Sequence, residues 1–248
     1  MIKPNTILHG DCLELMKDIE DKSIHMVLCD LPYSLTACAW DKLIPFELLW
    51  AQYKRIIKDN GAIVLTASQP FTTDLINSNR KMFKYELIWN KVQGKAPGVA
   101  KFRPMPSHEN ILIFGKANNT YNPQMTSGKP YKDIRNASHN KSDHFGLKNN
   151  FSIVNEGFRY PTSVIEEMSY NVSGQHPTQK PVALFEYLIR TYTNEGDLVL
   201  DNAAGSFTTA VSCINTNRNY ICMEKEEKYF NIGKERFKNH VSQLKIAI

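Results

Sequence analysis

Four acidic residues stand where short apolar runs end: Asp11 after TILHG, Asp30 after HMVLC, Asp201 after DLVL and Glu224 after YICM. In an open parallel sheet, ligands bind beyond the carboxyl ends of the strands, so acids at such ends are candidate ligand contacts. Taken singly, each could equally be a helix cap. Asp30 begins the most informative segment, Asp30-Leu31-Pro32-Tyr33. It offers a carboxylate, the backbone carbonyl of Leu31, a turn fixed by Pro32, and an aromatic ring. That set suits methylation of an aromatic amine. The nitrogen lone pair is delocalised into the ring, so the nitrogen must be drawn toward tetrahedral geometry before it can attack a methyl group. A carboxylate and a carbonyl accepting its two N–H bonds would do this, and a stacked ring would hold the base outside a duplex. The plainer alternative is a strand-end turn with an Asp cap and a core Tyr.

After Asp201 the chain reads Asn202-Ala203-Ala204-Gly205-Ser206-Phe207-Thr208-Thr209. Small residues let a ligand approach the backbone, and the following helix start offers free N–H groups. Glu224, one strand later, has the position from which an acid accepts hydrogen bonds from ribose hydroxyls. Together these features suggest a nucleoside ligand. No Gly-Lys-Ser/Thr follows the loop, which excludes a phosphate-binding P-loop.

The elements that must position these residues alternate along the chain. Strands are expected at Thr6–His9, His25–Asp30, Ala62–Thr66, Tyr85–Trp89, Asn110–Phe114, Asp197–Asp201 and Tyr220–Met223. Helices are expected at Leu13–Ile19, from Pro45 to about Ile57, near Phe71–Asn77, and at Pro181–Tyr192, Phe207–Asn215 and Glu227–His240. Strands alternating with helices of this length imply right-handed crossovers and a mainly parallel α/β sheet. Residues 116–175 break the pattern: they are rich in Asn, Ser, Gly, Tyr and His and lack apolar periodicity. A structureless loop that long inside a compact domain is improbable, so this stretch reads as an inserted, loop-rich recognition module.

The formal net charge of +5 is a mild bias toward a polyanion. It is concentrated. Arg80, Lys81, Lys84, Lys91, Lys95, Lys101, Arg103 and Lys116 face only Glu86 and Glu109, a local excess of six positive charges. Five cysteines without a CxxC suggest neither a disulfide scaffold nor a zinc site, and no metal is expected. The start, MIKPNTILHGDCLEL, lacks a signal-peptide run, and no apolar stretch approaches membrane-spanning length; a cytoplasmic protein without membrane contact is expected.

The segment DLPYSLTACAWD, with GDCLEL before it and PSHENILIFGK, HPTQKP, DNAAGSFTT and EKEEKYFNIGKERF after it, resembles the amino-methylating DNA methyltransferases. The order is that of their β group: catalytic motif, target-recognition region, cofactor motif. The resemblance implies a Rossmann-like, seven-stranded, mostly parallel sheet. Its catalytic half would be residues 1–115, its recognition region 116–175 and its cofactor half 176–248, so the cofactor pocket draws on both chain ends. It further implies transfer of a methyl group from S-adenosylmethionine to the 6-amino group of adenine in a specific double-stranded DNA sequence, after base flipping. Asp30, Leu31, Pro32 and Tyr33 would form the catalytic motif. Asp201, Ala203, Gly205 and Ser206 would border the methionine part of the cofactor, Glu224 the ribose, and Asp11 with Cys12 the adenine. Thr178, Gln179 and Lys180 would hold the methionine carboxylate. Lys91, Lys95, Lys101, Arg103, Lys132 and Arg135 would contact DNA. Partners would be double-stranded DNA, a second copy of the chain and a cognate restriction endonuclease, in a restriction–modification or phage-modification setting.

Two residues depart from the family pattern. Leu31 replaces a Pro, which leaves the carbonyl in place. Phe207 stands where a second Gly is usual, and its side chain could narrow the methionine pocket or point into the core. Two alternatives share the fold: a cytosine 4-amino methyltransferase, whose motif usually begins with Ser, and a catalytically silent DNA-binding subunit. A cytosine carbon-5 enzyme would need a Cys after Pro, and none of the cysteines follows Pro.

Overall fold

The long apolar runs become the middle of a sheet. In the computed structural model, residues 1–34, 41–91, 94, 97–135, 151–166 and 179–246 are described. In chain order the strands are β1 (Thr6–His9), β2 (Ile24–Cys29), β3 (Ile57–Ala67), β4 (Phe83–Asn90), β5 (His108–Phe114), β6 (Thr126–Ser127), β7 (Tyr131–Arg135), β8 (Phe151–Asn155), β9 (Phe158–Arg159), β10 (Val164–Ile165), β11 (Leu198–Asp201) and β12 (Asn219–Glu224). The α-helices are α1 (Cys12–Leu15), α2 (Phe46–Ile56), α3 (Phe71–Ser78), α4 (Val182–Tyr192), α5 (Thr208–Asn215) and α6 (Glu227–Ile246).

The chain forms two compact units, Met1–Asn122 with Ser163–Ile248, and Pro123–Thr162. The first contains a sheet in the order β1-β12-β11-β2-β3-β5-β4-β10. The neighbours from β1 to β3 pair in parallel, as do β4 and β10, whereas β5 runs antiparallel between β3 and β4. The seven expected strands are all present, and the two-residue β10 adds an eighth at the edge, from a stretch read as loop.

Alternation along the strands sends side chains to two cores. Val27, Cys29, Ile63, Leu65, Leu112 and Leu200 pack with Leu49, Trp50, Tyr53 and Leu75 on one face. Met26, Leu28, Val64, Ile111, Ile113 and Val199 pack with Leu184, Leu188 and Ala210 on the other. Strands covered on both faces read as continuous apolar runs, which is why Met26–Cys29 of β2, Ala62–Leu65 of β3 and Ile111–Phe114 of β5 hold no polar residue. Helix α2 buries Leu49, Trp50, Tyr53 and Ile56, a single helical face, and places Lys54 and Arg55 in its last turn, where cations complement the helix dipole. Pro45 sits at its N-cap rather than inside its first turn.

Several boundaries differ from expectation, three of them notably. The helix expected at Leu13–Ile19 starts one residue earlier, because Asp11 caps α1 through the Leu13 N–H, and it ends in a 3₁₀ turn, Met16–Asp18. Strand β3 begins at Ile57, ahead of the polar Lys58-Asp59-Asn60, and α6 runs six residues past His240. Among the described residues, no helix is long and apolar enough to cross a membrane.

The second unit has two antiparallel pairs, β6 with β9 and β7 with β8. Arg159 ties it together: its guanidinium donates to the Asn155 side chain and the Lys129 carbonyl and lies 4.9 Å from the Tyr131 ring centroid. Tyr131, Val154, Phe158 and Tyr160 are exposed.

Candidate functional site

Asp30 follows the last residue of β2 and is surrounded by groups from four other segments. Its Oδ1 accepts hydrogen bonds from the Tyr33 hydroxyl at 2.8 Å and from the Thr66 hydroxyl on β3. Its Oδ2 accepts from the Lys180 ammonium at 2.6 Å. Lys180, 6% exposed and two residues ahead of α4, is also 3.3 Å from Glu109 Oε2 on β5. The other Glu109 oxygen pairs with Lys91, just past β4. Burial works against the Lys180 ammonium, but the Asp30 and Glu109 carboxylates outweigh it and hold the amine above its usual value. Tyr33 stacks on Phe71, with ring centroids 4.9 Å apart at 24°, and Phe46 lies 5.9 Å beyond. Burial, then the Asp30 and Glu109 charges, push its phenol well up, so the hydroxyl stays a donor. Leu31 is buried.

Both chain ends build the neighbouring turn. β1 pairs with β12, and the Gly10 N–H donates to the Glu224 carbonyl at 3.0 Å. Glu224 accepts one backbone N–H on each oxygen, from Gly205 at 2.8 Å and Glu226 at 2.7 Å. Burial raises its carboxyl, and those amides oppose the shift. Asp11 accepts from Leu13 N–H at 2.9 Å and Lys225 at 3.0 Å, which hold its carboxyl low. Cys12 is buried, and its Sγ accepts from Asn202 Nδ2 at 3.5 Å. Asp201, 2% exposed, turns inward and braces the loop, accepting from the Ala203 N–H at 3.2 Å and the Thr209 hydroxyl. Ser206 is held by Arg236 of α6, which donates to its carbonyl at 2.7 Å and its hydroxyl at 3.2 Å. Thr178 lies outside the described residues. Gln179 carries a buried side-chain oxygen without a hydrogen-bond partner among them.

Phe207 enters the core. Its backbone adopts the left-handed conformation, φ 59°, that a Gly would take without strain. Its ring is fully buried against Phe230, with centroids 5.9 Å apart. Room for it comes from Gly233, where a Cβ would stand 2.7 Å from Phe207 Cδ2 and 2.8 Å from the Gly205 carbonyl oxygen.

The DNA methylase family matches residues 24–235. This chain belongs to that family. The methylase is 28% identical to the type II methyltransferase M1.MboII of Moraxella bovis, over 93% of this chain and 95% of that one. It is 29% identical to the DNA adenine methyltransferase YhdJ of Escherichia coli (strain K12), over 98% of this chain and 86% of that one. Among solved structures, the M1.HpyAVI–SAM complex is 26% identical with a TM-score of 0.61, covering 93% and 98% of the two chains. The cytosine-N4-specific PvuII DNA methyltransferase, 17% identical with a TM-score of 0.67 and covering 96% and 87%, shares the fold.

The basic segment of this methylase divides between the two ends of its sheet. Because β4 and β5 are antiparallel, Asn90 and His108 lie at the end where β2 and β3 finish, and Phe83 and Phe114 lie at the opposite end. Lys101 and Arg103 are therefore on the Asp30 side, exposed, with the 86% exposed Phe102 between them. Arg80, Lys81 and Lys116 flank the far end, and Lys116 donates to the Ile57 carbonyl there. Lys91, expected to contact DNA, is paired with Glu109, its side chain 11% exposed. Lys132 is exposed on the second unit; Lys95 and the Arg135 side chain lie outside the described residues.

Thr66 and Glu109 were missed by sequence reasoning. Each lies on a strand, with no local motif; the register of β3 against β2, and of β5 against β3, brings Thr66 to Asp30 and Glu109 to Lys180. Burial pushes the thiols of Cys29 and Cys222 well up, which suits packing rather than nucleophilic chemistry.

Proposed function

We propose that this DNA methylase transfers a methyl group from S-adenosylmethionine to the 6-amino group of an adenine flipped out of duplex DNA, with Asp30 as the acceptor that activates the amine. The single observation carrying this reading is the Asp30 carboxylate fixed at a strand end, beside a Tyr33 ring already stacked on Phe71. Bound S-adenosylmethionine supplies an electrophilic methyl group on a sulfonium, which leaves as a neutral thioether. Asp30 and the Leu31 carbonyl accept the two N–H bonds of the amine and favour its tetrahedral form, while the Tyr33–Phe71 pile offers the base a stacking surface. The proton released by the methylated nitrogen passes to Asp30 or to water.

The residues fit the cofactor. Among the described residues each Glu224 oxygen accepts one backbone N–H, which leaves capacity for ribose hydroxyls. The unpartnered Gln179 oxygen suits a donor such as the methionine ammonium. Phe207 enters the core, which supports an open methionine pocket despite the lost Gly. Asp rather than Ser at position 30, and the adenine name of one relative, support adenine over cytosine. Lys101, Phe102 and Arg103 support phosphate and base contact at the Asp30 side, and residues 116–175, with Lys132 and Arg135, are proposed as the sequence-reading region. The type II names of several relatives support a restriction–modification setting, and a cognate endonuclease, a second copy of the chain and a cytoplasmic location belong to the proposal.

Single-turnover transfer of labelled methyl to duplex DNA, followed by nucleoside analysis, tests this reading. Asp30→Ala should lower the rate at least about a hundredfold, the usual loss of a preorganised electrostatic partner, with far smaller changes in binding. Tyr33→Ala removes stacking worth about 1–3 kcal/mol and should weaken both flipping and rate. Near wild-type transfer by Asp30→Ala, or label recovered only in cytosine, would overturn the assignment.

A further inference from the structure

Lys180 is assigned by resemblance to the methionine carboxylate, yet its ammonium is committed elsewhere. It lies 2.6 Å from Asp30 and 3.3 Å from Glu109, and Glu109 is paired in turn with Lys91. Four charges of alternating sign, supplied by the ends of β2, β4 and β5 and the segment before α4, thus form one largely buried chain. Withdrawing Lys180 from it would leave Asp30 without its cation and bring Glu109 closer to the state of an unpaired buried charge, which is strongly unfavourable.

A lysine alone on Asp30 would be a poor design for the chemistry. Positive charge develops on the attacking nitrogen, and a neutral Asp–Lys pair stabilises it far less than a carboxylate does. Glu109 resolves the conflict. By drawing the ammonium between two carboxylates, it divides the Lys180 charge between them, so Asp30 keeps more of its negative character than in a lone Asp–Lys pair, while Lys91 on the remote Glu109 oxygen brings the four-charge chain to neutrality. Tyr33 and Thr66 fill Oδ1, whereas Lys180 takes one lone pair of Oδ2 and fixes that oxygen, so the second lone pair of Oδ2 is the one left to meet the amine.

We propose that Lys180 and Glu109 are positioning residues for the chemical step, acting through Asp30, and that Lys180 does not bind the cofactor carboxylate. This rests on the role of Asp30 given above.

The test pairs calorimetric titration of S-adenosylmethionine with single-turnover transfer at saturating cofactor and DNA. Lys180→Met and Glu109→Gln should each lower the transfer rate at least about tenfold, an order below loss of the direct partner. Cofactor and DNA affinities should stay within about twofold, the range of uncoupled sites, and the double variant should be no slower than the worse single one. Glu109→Asp, which keeps the charge, should recover part of the rate lost by Glu109→Gln. Weakened cofactor binding by Lys180→Met with a normal rate at saturation would restore the carboxylate role and overturn the proposal, as would a wild-type rate for Glu109→Gln. Should either neutral variant fail to fold, Lys180→Arg and Glu109→Asp decide, since unchanged rates in both would equally overturn it. Absence of adenine methylation by the wild-type protein would instead refute the underlying function.

Discussion

Asp201 is a strand-end acid that faces inward, and this gives it a measurable signature. Burial pushes its carboxyl up to about 7, against the hydrogen bonds from Thr209 and Ala203. Folded protein therefore binds a proton that the unfolded chain has already released between about pH 4 and 7, so this group makes stability fall as pH rises through that window. Asp201→Asn should flatten the decline in denaturant midpoint between about pH 4.5 and 7.5. A decline as steep as in the wild type would assign the titration to another group. At this scale the sequence was readable where chemistry is local. Asp30, Leu31, Pro32 and Tyr33 are adjacent, and their types alone suggest the reaction. It was unreadable where partners come from distant strands, as with Thr66 and Glu109. Nor was the pairing of Lys91 readable: a lysine in a basic segment looks like a phosphate contact, and nothing nearby in sequence announces its ion pair with Glu109.

Helix α6 and the turn before α5 meet at a pair of unusual residues. Phe207 occupies a left-handed position and fills the core, while Gly233 leaves room for its ring. Alanine is ordinarily better than glycine inside a helix by about 1 kcal/mol. Here its Cβ would press on Phe207 and on the Gly205 carbonyl, and overpacking of this kind typically costs about 1–3 kcal/mol. Gly233→Ala should thus destabilise the protein by up to about 2 kcal/mol in chemical denaturation, with Phe207→Ala partly relieving it. A stabilising Gly233→Ala would show that α6 shifts freely. Helices and strands were legible here because their periods are strong: α2 and α4 bury single faces, and the strands read as apolar runs. The extended start of β3 was not, because Lys58-Asp59-Asn60 interrupts its apolar pattern and pairing, not composition, keeps it in the strand. The turn of Phe207 into the core was equally invisible, since the compensating glycine lies 26 residues away on another helix.

Across the whole molecule, one continuous basic segment serves two opposite ends of the sheet. Neutralising Lys101 and Arg103 together should weaken binding to all duplexes alike and reduce the slope of log affinity against log salt by about 0.9 for each phosphate that is no longer neutralised. Neutralising Arg80 and Lys81, exposed at the far end, should leave that slope unchanged. Equal losses from the two pairs would mean that net charge, not placement, holds the DNA. The fold class was legible from alternating elements, whereas this partition was not, because only the antiparallel turn of β5 determines which end each basic residue reaches. The sheet order has a further consequence, for time rather than place. Strand β12 lies between β1 and β11, so β1 waits through more than two hundred residues for its neighbour in the sheet. Such distant pairing slows folding, since loop closure must precede any reward. Until β12 has been made, Gly10 cannot meet Glu224 and Lys225 cannot reach Asp11, so the turn proposed to hold the cofactor closes only after the Asp30 cluster has gained all its members, Lys180 included.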